Sequence, residues 1–416
     1  MGVGFRELLR AEAVPLGSNL EVVHLGRQAI YDASLHSRAY ELFYRSRVGR
    51  EAKPDDADRA TCSVVLSAFA ELGLQRVASD KRVFLNVAHD VISGALPLPV
   101  SPSIVVLQVR DYEHSAGELV VALRQRRAEG YQVALDGFVF RHETAPLLEV
   151  ADYLKFNVRR LGLDGLAEQL QLVRGFAGES VACKIDTSEQ FNRCVTAGCD
   201  YFQGRFLFRP QVLSHKRLPK GLKTITRLLS RLRDPAVELA EIERIVKTDA
   251  ALTLAVLRFL GSAAYALPNP VTSVAHAVTL LGLREFSKWV TVIALTSTTV
   301  RPSELCLVAL IRARASELVA AQTGADPDGA FMVGLMSGLE ALFERSLPDL
   351  LDELPVADEI RVAVLEHGGV LGKILADVVS REDDEAPIST RFDARIVTHA
   401  WLEAVSWATD AQRALA

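Results

Sequence analysis

The chain has 416 residues, 49% of them hydrophobic and 24% charged, with a net charge of −5 and a pI of about 6.0. That length holds two domains and a sizeable core, and the composition excludes disordered, collagen-like and coiled-coil classes. The weak acidic bias argues against a protein built to grip nucleic acid.

In chain order, residues 1–19 read as an N-terminal extension with no unbroken apolar run, so no signal peptide is expected. Strand-like patterns cover 21–31, 38–44, 82–87, 104–109, 131–135, 153–157, 180–185 and 201–207. Helical patterns cover 58–72, 118–127, 165–176 and 188–197. Strands separated by single helices predict parallel βαβ units, and so many of them predict a small (β/α) barrel over 20–210. The stretch 89–103 carries Pro97, Pro99 and Pro102 and reads as loop, so the barrel is expected to be trimmed.

A short polar linker, 211–217, then separates this α/β half from an all-α half over 218–416. Apolar residues recur there at spacings of three and four, predicting helices over 221–233, 240–248, 250–261, 273–281, 284–295 and 306–322. The uncharged apolar stretch near the middle, 289–300, is too short to span a bilayer. Five cysteines (Cys62, Cys183, Cys194, Cys199 and Cys306) form no Cys-x-x-Cys pair. Neither a disulfide framework nor a zinc site is suggested, and a soluble, cytoplasmic protein is expected.

Three segments belong together: GRQAIYDASLHSRAYELFYRS at 26–46, YQVALDGFVF at 131–140 and GCDYFQGRFLFRP at 198–210. Their order and spacing resemble the EAL domain, a cyclic di-GMP phosphodiesterase barrel. The resemblance implies a site at the barrel's C-terminal mouth, where clustered carboxylates hold two Mg²⁺ or Mn²⁺ ions and activate a water. Glu41, Asn86, Asp136, Lys155 and Gln203 match the family's pattern and are the candidate ligand-binding residues. Other positions depart from it. Gln108 stands where a metal-ligating Glu is implied, Gly137 replaces the second Asp of an Asp-Asp pair, and Val139 replaces a Gly. Cys183 takes the place of a general-base Glu, Asp186 is a shortened Glu, and Asn157 replaces an Asp. Three anionic groups around two packed dications thus become neutral, and loss of a general base alone removes about 10²–10⁴ of rate. The expectation is a barrel without catalytic activity and without a cofactor, with Mg²⁺ or Mn²⁺ relevant only if residual binding survives. Cys183 reads as a small buried strand residue rather than a nucleophile.

The second half resembles the HDOD domain, a helical relative of HD-type phosphohydrolases without their His-Asp signature. Leu218-Pro219, Lys247-Thr248-Asp249-Ala250-Ala251-Leu252, Arg258 with Ser262, and Leu281-Gly282-Leu283 carry the resemblance. Ser337 and Gly338 stand where an active HD enzyme would place its metal pair. The one His-Asp dipeptide, His89-Asp90, lies in the other half and reads as chance. His276 and His367 are single histidines with no second ligand at helical spacing. Basic residues 216–233, with Lys223, Arg227 and Arg231 at spacing four, read as a solvated stripe.

The order of the two halves matches an EAL–HDOD architecture. It implies a bacterial signal-transduction protein that is not an enzyme. Such a protein would bind signalling partners through the helical half, with cyclic di-GMP or barrel–barrel dimerisation at the first half. The alternatives are a cyclic di-GMP receptor without turnover and a weak metal-dependent phosphodiesterase. A nucleic-acid partner is not expected.

Overall fold

Eight short β-branched and aromatic runs make the strands of the first half: β1 (Val23–Tyr31), β2 (Ser37–Ser46), β3 (Arg82–Asn86), β4 (Val105–Val109), β5 (Gln132–Leu135), β6 (Tyr153–Asn157), β7 (Glu179–Ile185) and β8 (Tyr201–Gly204). The computed structural model describes residues 23–46, 81–207 and 303–415, apart from 96, 97, 99, 111, 113–115, 344, 355 and 383–390, with scattered positions between 241 and 293. Hydrogen bonds join the eight strands, in chain order, into a closed barrel. The predicted barrel and its strand positions are therefore present.

The parallel pairing expected of βαβ units holds from β2 onward and not for β1. Strands β2 to β8 run parallel, but β1 is antiparallel to both β2 and β8. The reason is the connection. Only residues 32–36 join β1 to β2, and a parallel crossover needs a dozen or more. Asp32 shapes the tight turn, its Oδ1 accepting from the N–H groups of Ser34 and His36 at 2.9 Å each. Leu35 takes the left-handed φ of 63° that the turn requires.

Among the helices, α1 (His89–Ser93) is a single short turn inside the stretch read as loop, ended by Gly94 in the left-handed region. Helix α2 (Ala116–Ala128) follows β4. Helix α3 (Val158–Leu172) starts earlier than its periodicity suggests, because Gly162, with φ 71°, interrupts the helical pattern near its start. Helix α4 (Ser188–Ala197) has the predicted bounds. Thr187 and Gln190 cap it reciprocally and left-handed Gly198 ends it.

In the second half, α5 (Ser303–Thr323) is packed by α6 (Pro327–Met336) and α11 (Ala394–Leu415). Between them run α7 (Leu339–Phe343), α8 (Leu347–Glu353), α9 (Asp358–Glu366) and α10 (Gly369–Val379). Gly334 lets α5 and α6 touch backbone to backbone, since a Cβ there would strike the Arg312 carbonyl and Ala313. Positions 241, 244–245, 286, 288–290 and 292–293 are helical, as predicted. The helices predicted over 58–72, 221–233, 250–261 and 273–281, the linker 211–217, the basic stripe and His276 lie outside the described residues. Among the described residues no helix is long and apolar enough to cross a membrane.

The two halves meet on β1 and β2. Gly26 abuts the Arg381 carbonyl. The Tyr40 hydroxyl donates to Glu304 Oε2 at 2.8 Å, and Arg27 Nη2 lies 3.9 Å from Glu304 Oε1. Arg27, Tyr40 and Glu304 are all buried.

Candidate functional site at the barrel mouth

The period-two alternation of strands decides what lines the barrel. One apolar layer takes a residue from every strand: Ile30, Ala39, Phe84, Val106, Ala134, Tyr153, Val181 and Tyr201. Two residues further, toward the carboxyl ends of β2 to β8, the same face carries Glu41, Asn86, Gln108, Asp136, Lys155, Cys183 and Gln203. In antiparallel β1 the step runs backward, to Gln28. A dry layer thus underlies a polar one, and the polar layer holds every expected ligand-binding residue.

Glu41 is the hub. Its Oε1 accepts from Gln108 Nε2 at 2.7 Å. Its Oε2 accepts from Lys155 Nζ at 2.9 Å and from Gln203 Nε2 at 2.5 Å. Gln108 Nε2 also reaches Asn86 Oδ1 at 2.9 Å, and its Oε1 accepts from Lys155 at 2.7 Å. Gln203 Nε2 spans to Gln28 Oε1 at 2.9 Å. Asp136 Oδ1 lies 3.8 Å from Lys155 Nζ.

Burial would raise the Glu41 pKa, but the Lys155 ammonium and the Arg110 guanidinium outweigh it and hold the carboxyl well below its usual range. Burial would also lower Lys155, and here Glu41 and Asp136 win and raise it. Both groups are charged at neutral pH, and Lys155 is 1% exposed. Gln108, the expected metal-ligand position, instead bridges Glu41, Asn86 and Lys155.

Cys183 is a buried strand residue, as its sequence context suggests. Its Sγ donates to the Phe156 carbonyl at 3.2 Å, and burial pushes the thiol up to about 12. Protonated at neutral pH, the thiol is a poor nucleophile and a poor base. Gly137 has φ 66°, with nothing near where a Cβ would sit. Asp186 stands beyond β7, 2.9 Å from Arg159 and 3.6 Å from Arg205, and joins no hydrogen bond of the Glu41 network. Asn157 caps α3, accepting from the Arg160 N–H.

In the helical half, Ser337 caps the end of α6 and its Oγ donates to the Gly334 carbonyl at 2.7 Å. Gly338 meets the Ala309 side chain closely. Both positions are helix packing. His89 and Asp90 begin α1, and His367 is the exposed left-handed cap of α9.

One residue escaped the sequence reading. Arg110 donates from Nε to Asp136 Oδ2 at 2.6 Å, and its Nη2 lies 3.8 Å from Glu41 Oε1. The signal was there: Arg110 stands two positions after Gln108, on the same face of the chain leaving β4.

The oxygens of Glu41, Asn86 and Asp136 are hard donors of the kind Mg²⁺ and Mn²⁺ prefer. In addition, the buried Gln203 Oε1 has no hydrogen-bond partner. This set fits one dication. It does not fit two, because it offers two carboxylates and one of them already neutralises Lys155. Among the described residues no three His, Cys, Asp or Glu side chains gather into a metal site, so the set reaches three donors only with the Asn86 amide.

Comparison with known proteins places these observations. Residues 218–354 match the HDOD domain family. Over 412 residues the chain is 27% identical to "Cyclic di-GMP phosphodiesterase CdgJ" of Vibrio cholerae, covering 96% of this chain and 95% of the relative. It is 25% identical over 399 residues to the uncharacterized protein YuxH of Bacillus subtilis, covering 92% and 98%. Among solved structures, the PaMucR phosphodiesterase in complex with c-di-GMP superposes with a TM-score of 0.38 at 18% identity, covering 44% of this chain and 95% of that one.

These findings overturn the expectation that the chain is not an enzyme. A relative matched along nearly its whole length is named a phosphodiesterase, so the replacements at Gln108, Gly137 and Cys183 do not establish an inert barrel. The physical step that failed was the inference from a lost two-ion site to no site, since the Glu41, Asn86 and Asp136 donors remain. The chain joins a closed eight-stranded barrel to a helical half in which residues 218–354 match the HDOD domain family.

Proposed function

We propose that the barrel mouth binds cyclic di-GMP and hydrolyses it slowly to the linear dinucleotide with one Mg²⁺ or Mn²⁺ ion. The observation that carries this reading is the polar layer, in which Glu41, Asn86 and Asp136 stand together above a dry barrel interior. The full-length relative named a cyclic di-GMP phosphodiesterase supports it. Glu41, Asn86 and Asp136 would hold the ion, which supplies Lewis acidity and a more acidic bound water. Lys155 stays charged and keeps Glu41 ionised in a buried place. With Cys183 protonated and Gly137 lacking a side chain, the polar layer supplies no general base, and the rate falls by about 10²–10⁴.

The helical half belongs to the same reading as the surface that docks signalling partners, with 20–210 and 218–416 as the two domains and the barrel as the dimer contact. The enzymatic part is tested by incubating the purified protein with cyclic di-GMP and Mn²⁺ and resolving the products by chromatography. Linear dinucleotide forms with Mn²⁺ and not with chelator. No product with Mn²⁺ refutes the reading.

A further inference from the structure

Arg110 occupies the place where a cation is needed. Its guanidinium lies against Asp136 Oδ2 and beside Glu41 Oε1, the carboxylate oxygens of the two anionic donors in the polar layer. Two positive groups balance these two carboxylates, and they differ in freedom. Lys155 is sealed inside the barrel, 1% exposed and bonded to Glu41 and Gln108. The Arg110 side chain is 48% exposed, on the solvent side of the layer. Lys155 cannot leave without stranding a buried carboxylate, whereas Arg110 can turn outward into water.

We propose that Arg110 is the specificity-determining residue that sets the cation affinity of this mouth: a divalent ion binds Glu41, Asn86 and Asp136 only by displacing the Arg110 guanidinium. The inference rests on the proposed one-ion reading of the site. With Arg110 withdrawn, the ion and Lys155 exceed the two carboxylates by one positive charge, which one phosphodiester neutralises. Ion and cyclic dinucleotide then bind with positive coupling, both working against the same Arg110 contacts.

The test is a Mn²⁺ titration of the full chain without nucleotide, with free ion followed by electron paramagnetic resonance. Arg110→Gln removes the competing charge and binds one Mn²⁺ at least about tenfold tighter than the native protein. Arg110→Lys keeps a charge and returns the affinity toward the native value. Asp136→Ala, added to Arg110→Gln, abolishes the gain. Equal or weaker binding by a folded Arg110→Gln overturns the inference, as does a gain that survives Asp136→Ala. If Arg110→Gln fails to fold, Arg110→Met carries the same comparison. Because the titration contains no nucleotide, failure of the proposed function appears in the turnover assay alone, and failure of the Arg110 inference appears in the titration.

Discussion

Lys155→Met tests the hub most severely. The substitution keeps length and apolar stem and removes one charge from a pair in which both partners are buried. Glu41 would keep one hydrogen bond each from Gln108 and Gln203 and the more distant Arg110, but lose the buried Lys155 ammonium. Leaving a buried charge without its partner is destabilising by about 3–5 kcal/mol. The sign of the pH dependence follows. In the native protein the Glu41 pKa lies below its unfolded value, so its contribution is present above the unfolded value and is lost as pH falls through the lowered one. In Lys155→Met, burial dominates, the Glu41 pKa rises above its unfolded value, and stability falls as pH rises. The penalty is therefore largest near neutral pH and shrinks in acid. All three tryptophans, Trp289, Trp401 and Trp407, sit in the helical half, so tryptophan fluorescence is the wrong probe for the barrel. Hydrogen exchange of β2, β6 and β8 amides in the two proteins, at neutral and acid pH, reads the barrel directly. Unchanged protection of these strands at neutral pH would refute the argument that Lys155 holds Glu41 ionised.

Other consequences are equally open to measurement. Glu304→Ala removes the acceptor of the Tyr40 hydroxyl and one carboxylate beside buried Arg27, weakening the contact between the halves by about 1–3 kcal/mol. Faster exchange in β1 and β2 would show it, and native exchange rates there would contradict it. Burial pushes the Cys183 and Cys199 thiols up to about 12. Both stay unmodified by iodoacetamide in the native protein at pH 8 and react after unfolding, as peptide mapping would reveal; native-state labelling of Cys183 would disprove its burial. Gly334→Ala drives a methyl group into the α5 backbone and lowers the stability of the helical half by about 1–3 kcal/mol. Here tryptophan fluorescence in urea is the right probe, and an unchanged midpoint would contradict the close approach.

The barrel was legible in the sequence because its strands are short β-branched and aromatic runs and their side chains alternate. Once Glu41, Gln108 and Lys155 are placed on strands, period two puts them on one inward layer. The antiparallel entry of β1 was also legible, in a turn segment too short for a crossover, but the rhythm of strand and helix further on masked it. Single-residue geometry was less accessible. Gly162 hid the start of α3, because a left-handed residue near the start of a helix breaks the apolar period. Arg110 was missed because its one signal, a place two positions after Gln108 on the same face, takes its meaning from Asp136 just beyond the next strand. The inference from lost carboxylates to an inactive chain failed as well. Sequence shows which charges are gone, and the full-length relative named a phosphodiesterase is what overturned the step from those losses to inactivity.

The central claim is turnover at this mouth, and the most direct measurement compares the native protein with Glu41→Gln. Each is incubated in excess over cyclic di-GMP with saturating Mn²⁺, and linear dinucleotide is quantified over hours. The account predicts slow formation by the native protein and none by Glu41→Gln, which removes one of the two anionic donors while nearly preserving shape. Product formed equally by both proteins would place the chemistry elsewhere, and no product from the native protein would contradict the claim outright.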